Sequence, residues 1–250
     1  PAAGFLARLF IIQHDCGHGA FFRSRTANDG LGFFIGILTL TPYEYWRKTH
    51  ALHHKKSGNL DHRSLGEIRL LTVEEYHARS KFRRFLYRLY RNPVTLLGVG
   101  PVYQFFFKHR LPLGLPLSWR REWRSVMWTN LGIAINVAAL WWLVGLKALL
   151  MVQLPISVIA GVVGVWLFYV QHNFQETYWR RTRGWAFHEA AIEGSSFYDL
   201  PAILRWFTGN IGVHHVHHLM SRIPNYWLMR CLREIPELQG VTRLTLLESF

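Results

Sequence analysis

VMWTNLGIAINVAALWWLVGL, residues 126–146, runs for 21 residues without a charged side chain. That is about the length one helix needs to cross the roughly 30 Å of hydrocarbon in a bilayer. After a single cation, Lys147, residues 148–170 are again uncharged for 23 positions, with Pro155 among them; membrane helices tolerate such a proline. Together the two runs predict a helical hairpin that turns at 145–147. Outward from it, residues 31–42 are uncharged for 12 positions and residues 93–107 for 15, the latter broken by Pro101. Both are too short to span and read as re-entrant or interfacial. Residues 2–12 are apolar apart from Arg8 and read as the end of a further span.

The chain of 250 residues has 29 Lys and Arg against 15 Asp and Glu, a formal charge of +14. Such an excess suits either a nucleic acid or an anionic membrane surface, and its placement decides. The basic clusters KHR (108–110), WRREWR (119–124) and WRRTR (179–183) flank the open side of the hairpin, whereas the turn carries Lys147 alone. By the positive-inside rule the open side is cytoplasmic. RSKFRRFLYRLYR (79–91) sets Phe82, Phe85, Leu86, Leu89 and Tyr90 on one helical face and cations on the other, the pattern of a helix lying on headgroups. No nucleic-acid recognition motif accompanies the charge, so nucleic acid is excluded as a partner. Two cysteines, Cys16 and Cys231, are too few for a disulfide framework.

Fourteen histidines are the compositional outlier, and they cluster. His14 and His18 are four apart; His50, His53 and His54 repeat the spacing of His214, His217 and His218. Residues three and four apart share a helix face, and each triplet occupies an arc of about 100°. His215 is rotated about 160° from His217 on the same helix and reads as a passenger. Neutral imidazole is the commonest metal-binding side chain. Eight clustered ligands exceed the usual four of one structural zinc, which implies more than one ion. Softness leaves zinc, copper, nickel and iron open. The hairpin returns the chain to its starting side, so all three clusters fall on the cytoplasmic face.

The segments HDCGHGAFF (14–22), WRKTHALHH (46–54), YVQHNF (169–174) and GNIGVHHVHHLMSRIPNYWL (209–228) closely resemble the integral-membrane fatty acid desaturases, in particular the acyl-lipid omega-6 (delta-12) branch. The resemblance covers nearly the whole chain, residues 1–250 as one domain. It implies an all-α membrane bundle with a cytoplasmic, histidine-rich helical cap that holds two iron ions. With O2 as co-substrate, that centre would place a cis double bond in an acyl chain, delta-12 of lipid-linked oleate being the expected product. The ligands carried over are His14, His18, His50, His53, His54, His214, His217 and His218, with an additional one at His172. Asp15, Asp61, Glu176, Asp199 and Asn210 lie near the boxes and are candidates to orient ligating imidazoles, which habitually donate their outer N–H. His62, His77, His109 and His188 lack box spacing and read as ordinary polar residues.

Three residues separate the histidines of the first box, where stearoyl-type acyl-CoA enzymes have four. No His-Pro-Gly-Gly haem motif occurs, so electrons are expected from a separate carrier, ferredoxin ahead of cytochrome b5. The family pattern also has a hydrophobic segment before the first box, which makes the chain read as a fragment. The expected location is a bacterial inner membrane or a plastid- or ER-type membrane. A hydroxylase or ketolase acting on acyl chains or carotenoids is the nearest rival. A histidine-rich metal transporter is a remote one, since it would carry its ligands inside broken helices.

Overall fold

The computed structural model describes residues 1–63, 67–111 and 113–250. The chain is mostly helical, as expected from the apolar runs. Three helices open it: α1 (Ala2–Gly17), α2 (Arg25–Leu38) and α3 (Tyr43–Lys56). Ser24 caps α2 by accepting the Ala27 N–H at 3.2 Å, which satisfies one of the free N–H groups at that end. The Gln13 side chain fixes α1 to the turn after α2, donating to the Thr39–Thr41 segment at the Thr41 carbonyl (3.2 Å) and accepting from the Thr39 hydroxyl (2.7 Å).

The short α4 (Val73–His77) follows, with a reciprocal capping box between Thr72 and Glu75, and then α5 (Lys81–Arg91). Residues 94–108 are helical in three short pieces: π-helical turns at Val94–Val99 and Tyr103–Lys108 on either side of α6 (Gly100–Val102). Pro101 falls where the helix changes register, as a missing N–H requires.

Among the described residues one apolar helical stretch, Arg120–His172, is long enough to cross a membrane. It comprises α7 (Arg120–Ala148), a π-helical turn and α8 (Leu154–His172). A straight helix of these 53 residues would be about 80 Å long. Yet Glu122 near its start pairs with Lys48 at 2.8 Å, and His172 at its end meets His53 at 3.1 Å. Lys48 and His53 lie on the same helix, about 7.5 Å apart along its axis, so the stretch folds back on itself. The break is at Gly145, with φ 81 and ψ 157, inside the expected turn. Around it Trp142, Leu143 and Met151 are two-thirds or more exposed, an apolar tip of the kind that faces lipid. α7 packs on α2 and α3, and α8 packs on α1 and α6.

The remainder forms a cap: α9 (Phe187–Glu193), α10 (Ala202–Phe207), α11 (His214–Leu219) and α12 (Asn225–Glu234). A parallel strand pair that periodicity did not predict joins β1 (Phe197–Asp199) to β2 (Arg243–Thr245). Gly212, ahead of α11, accepts the Tyr198 N–H through its carbonyl at 2.8 Å. A Cβ there would sit 2.2 Å from the Tyr198 carbonyl oxygen, so this close approach requires glycine. Ile11, Leu167, Val170, Tyr198, Val213, Val216 and Leu228 form the main apolar core beside α11.

Gly145 occupies a backbone region that only glycine enters readily. Gly145→Ala is expected to destabilise the hairpin by on the order of 1–3 kcal/mol, lowering the thermal unfolding midpoint in detergent. Gly98→Ala, at an exposed helical position with open space for the added carbon, should not lower it.

Candidate metal centre

Four helices deliver the histidines from their ends. His14 and His18 sit at the last turn and cap of α1; His50, His53 and His54 on the second half of α3; His172 closes α8; and His214, His217 and His218 make up half of α11. Three of these are helices of 14 residues or more that end at the cluster. A helix C-terminus carries partial negative charge and favours cations.

The nine imidazoles form two groups with nitrogen atoms within 4.8 Å of one another: His14, His18, His50, His54 and His217 in one, His53, His172, His214 and His218 in the other. The division cuts across the boxes. Each pair four apart (His14/His18, His50/His54, His214/His218) stays together, while His53 and His217 cross to the opposite group. Stacked rings of His54 and His218, 4.2 Å apart at 17°, join the two. Burial pushes the imidazoles of His18, His50, His54, His214, His217 and His218 well below the usual histidine range, and neighbouring imidazoles add to the effect. Those rings are therefore held neutral, the form that binds metals.

The protonation pattern shows what such rings can do. His53 Nδ1 donates to Glu67 at 2.9 Å, and His172 Nδ1 donates to the Gly194 carbonyl at 3.2 Å. A neutral imidazole has one N–H, so in the neutral form of both rings the two Nε2 atoms would carry lone pairs, and they face each other at 3.1 Å. Two lone pairs at that distance repel unless a cation lies between them. His172–His214 (2.9 Å) continues the pattern in this group, as do His50–His54 (3.1 Å) and His54–His217 (2.9 Å) in the other. Nitrogens bound at about 2.0–2.1 Å to one first-row dication and at right angles to each other stand about 2.9 Å apart. The Nε2 atoms of His18 and His218 are buried without a hydrogen-bond partner, an expensive arrangement for polar atoms unless they bind something. The residues fit a pair of metal ions.

Of the five expected orienting residues, Asp15 touches a box imidazole: His14 Nδ1 lies 3.2 Å from its carboxylate. Asp15 is itself held by the Asn225 backbone and side-chain N–H groups at 2.7 and 2.8 Å. Asn210 is one step removed, donating to the Asn225 carbonyl at 3.3 Å. The other three are elsewhere. Asp61 binds Arg181 and the Thr182 N–H, Asp199 binds Arg205 and Arg243, and Glu176 is exposed at a turn with φ 65. In a chain so rich in cations, surface carboxylates find arginines before they find imidazoles. Glu67 and the Gly194 carbonyl do the orienting instead; neither has a periodic relation to a box. His215 is buried apart from both groups and bonds the Leu238 carbonyl at 3.0 Å. His62, His77 and His188 are exposed. His109 is not a surface residue: it is buried against Gln104 and the Leu40 carbonyl.

A cavity of about 360 Å³ opens onto both groups through His14, His50, His53 and His214. Its walls come from α1, α3, the 94–108 stretch and α8, and are largely apolar. Trp46 stacks on His50 at 4.5 Å, and Phe168 lies 5.1 Å from both His53 and His172. The reactive face of the cluster thus meets hydrocarbon-like surface.

The sequence matches the profile of the fatty acid desaturases over residues 1–246. It is similar to a fatty acid desaturase of Bacillus subtilis, 46% identical over 248 residues that cover 99% of this chain and 70% of the relative. It is also similar to an sn-1 acyl-lipid omega-3 desaturase (ferredoxin) of Synechocystis, 30% identical over 93% of this chain and 64% of the relative. An sn-1 oleoyl-lipid 12-desaturase of Synechocystis is 25% identical over 88% of this chain and 62% of the relative. The chain thus spans between 62 and 70% of the length of these relatives. With a profile match over nearly every residue and the histidine boxes gathered into one buried cluster, the chain belongs to the fatty acid desaturase family.

Proposed function

We propose that this chain carries the catalytic centre of a membrane-bound acyl-lipid desaturase, with iron in both histidine groups and the active site on the cytoplasmic side. The supporting observation is the apolar cavity that ends on imidazoles of both groups. Two hydrogens leave adjacent carbons of the acyl chain; O2 accepts these two electrons and two more from an external donor, and with two further protons leaves as two waters. Removing hydrogen from an unactivated carbon is beyond any side chain, and bound iron with O2 would supply that chemistry. Ferredoxin is the donor we favour, since two omega-3 relatives carry it in their names. For the bond position we favour delta-12 of lipid-linked oleate, the assignment named for the Synechocystis 12-desaturase relative.

The chain's own residues position and shield. Glu67 and the Gly194 carbonyl hold His53 and His172 with their Nε2 atoms inward. Phe168 covers both rings on the cavity side. Below them α8 lines the cavity from Ser157 to Gln171, with Val165 and Leu167 among the lining, over an arc of about 160° with Gly164 near its centre. From Ser157 to Gln171 this face rises about 21 Å, more than the roughly 15 Å of hydrocarbon in one leaflet. A Cβ on Gly164 would meet nothing within 4 Å, so the open centre of that face leaves room for an acyl tail.

Expression in cells whose lipids lack diunsaturated chains, followed by double-bond mapping, tests the reaction. A new cis double bond supports it; a hydroxylated chain in place of a second double bond would move the assignment to a hydroxylase. Metal analysis is expected to find two irons per chain, reduced in His54→Ala and retained in His215→Ala; iron lost from the second variant alone would overturn the ligand set. Gly164→Leu is expected to keep its iron while either lowering the longest chain accepted or moving the double bond toward the methyl end. Wild-type chain-length and product profiles in that variant would show that the acyl tail runs elsewhere.

A further inference from the structure

α5 is built inside out. Its apolar row points away from the protein, with Phe82 67% and Phe85 53% exposed, and Leu86 and Leu89 exposed beside them. Its attachment to the body comes from the opposite side. The Arg84 guanidinium lies over the Tyr76 ring and the Arg91 guanidinium over Tyr169 of α8. Arg91 also donates to Asn173 at 3.0 Å, and the Tyr87 hydroxyl accepts the Leu71 N–H at 3.2 Å. No residue of this helix is buried. A helix that turns Arg84 and Arg91 inward and its phenylalanines outward has its apolar face covered by something other than this chain.

The neighbourhood indicates what covers it. The exposed apolar surface continues along the chain through Val94, Val99, Tyr103 and Phe107, the segment that walls the cavity. Lys81, Arg83 and Arg88 are exposed and stand about 100–120° to either side of Phe82, the position of headgroups when the apolar row is in hydrocarbon. Among the described residues none of the three has a carboxylate within 4.0 Å. At the end of the same helix Tyr90 lines the cavity close to Glu67 and Ile68. The covering surface is therefore apolar, continuous with the membrane region, bordered by negative charge and adjacent to the cavity mouth.

We propose that α5 lies in the plane of the bilayer and gathers anionic phospholipid at the lip of the cavity. Juxtamembrane cations attract anionic lipid with a salt-sensitive energy, so the helix raises the local concentration of phosphate-bearing lipid where an acyl tail enters. That last step rests on reading the cavity as the acyl site; the in-plane placement does not.

The chain is reconstituted in vesicles of phosphatidylcholine with increasing phosphatidylglycerol. In a Cys231→Ser background, nitroxide labels on Phe85→Cys and Arg88→Cys report collisions with oxygen and with a water-soluble nickel chelate. The Phe85→Cys label is expected to collide with oxygen and be shielded from the chelate, and the Arg88→Cys label to meet the chelate. Equal chelate access at both sites would overturn the placement, and so would shielding of the Phe85→Cys label from both reagents, which would indicate a protein cover. Turnover is then expected to rise severalfold with phosphatidylglycerol at low salt, and the rise to disappear at high salt and in the Lys81→Glu/Arg83→Glu/Arg88→Glu variant. A rise of the same size in that variant would overturn the role of the cations. The labels need no turnover, so a failure of the desaturase reading is separable from a failure of this one.

Discussion

Two lone pairs aimed at each other across 3.1 Å, on His53 and His172, summarise the physical problem this fold solves. Each ring is turned by an acceptor on its outer nitrogen, so neither can relieve the contact by becoming a donor. A cation between the rings would relieve the contact, and the cage supplies no anionic ligand among its nine donors. Compensation comes from outside the cage: Asp15 and Glu67, one beside each group, and the negative ends of α1, α3 and α8. A cage of neutral donors would leave a bound ion nearly its full charge.

The membrane fold serves the same end. The hairpin of α7 and α8 anchors one end on Lys48 and delivers the other to His53, so α3 is held at both ends of one apolar unit. Lipid surrounds the tip and the cap closes the opposite side. The cavity, walled by α1, α3, the 94–108 stretch and α8, opens onto both groups of imidazoles.

Much of this was legible in the residues, for identifiable reasons. The boxes show because imidazoles three and four apart are visible within a single helical turn, and the hairpin because uncharged runs of 21 and 23 residues have few alternatives. Gly145 lies inside the expected turn. The division of the imidazoles into two groups was not legible, since it depends on how four helix ends meet. Glu67 and the Gly194 carbonyl reach their rings through loop geometry, which leaves no period in the sequence. Asp61 and Asp199 lie near boxes along the chain but pair with arginines in space, because proximity in sequence does not determine which partner a surface carboxylate meets. The strand pair 197–199 with 243–245 joins segments too short and too far apart for alternation to reveal.

The hydrogen bonds from Asn225 to Asp15 span 210 positions of the chain. They tie a residue inside the first box to the start of the helix after the third. Contacts of such separation form late, because the closure entropy of the intervening loop precedes any reward. As the chain emerges from the ribosome, the hairpin can enter the bilayer while the first two boxes wait as unpaired imidazoles. The cage closes only after residue 225 has been made. The last quarter of the chain thus brings His214, His217 and His218 to ligands that were translated first.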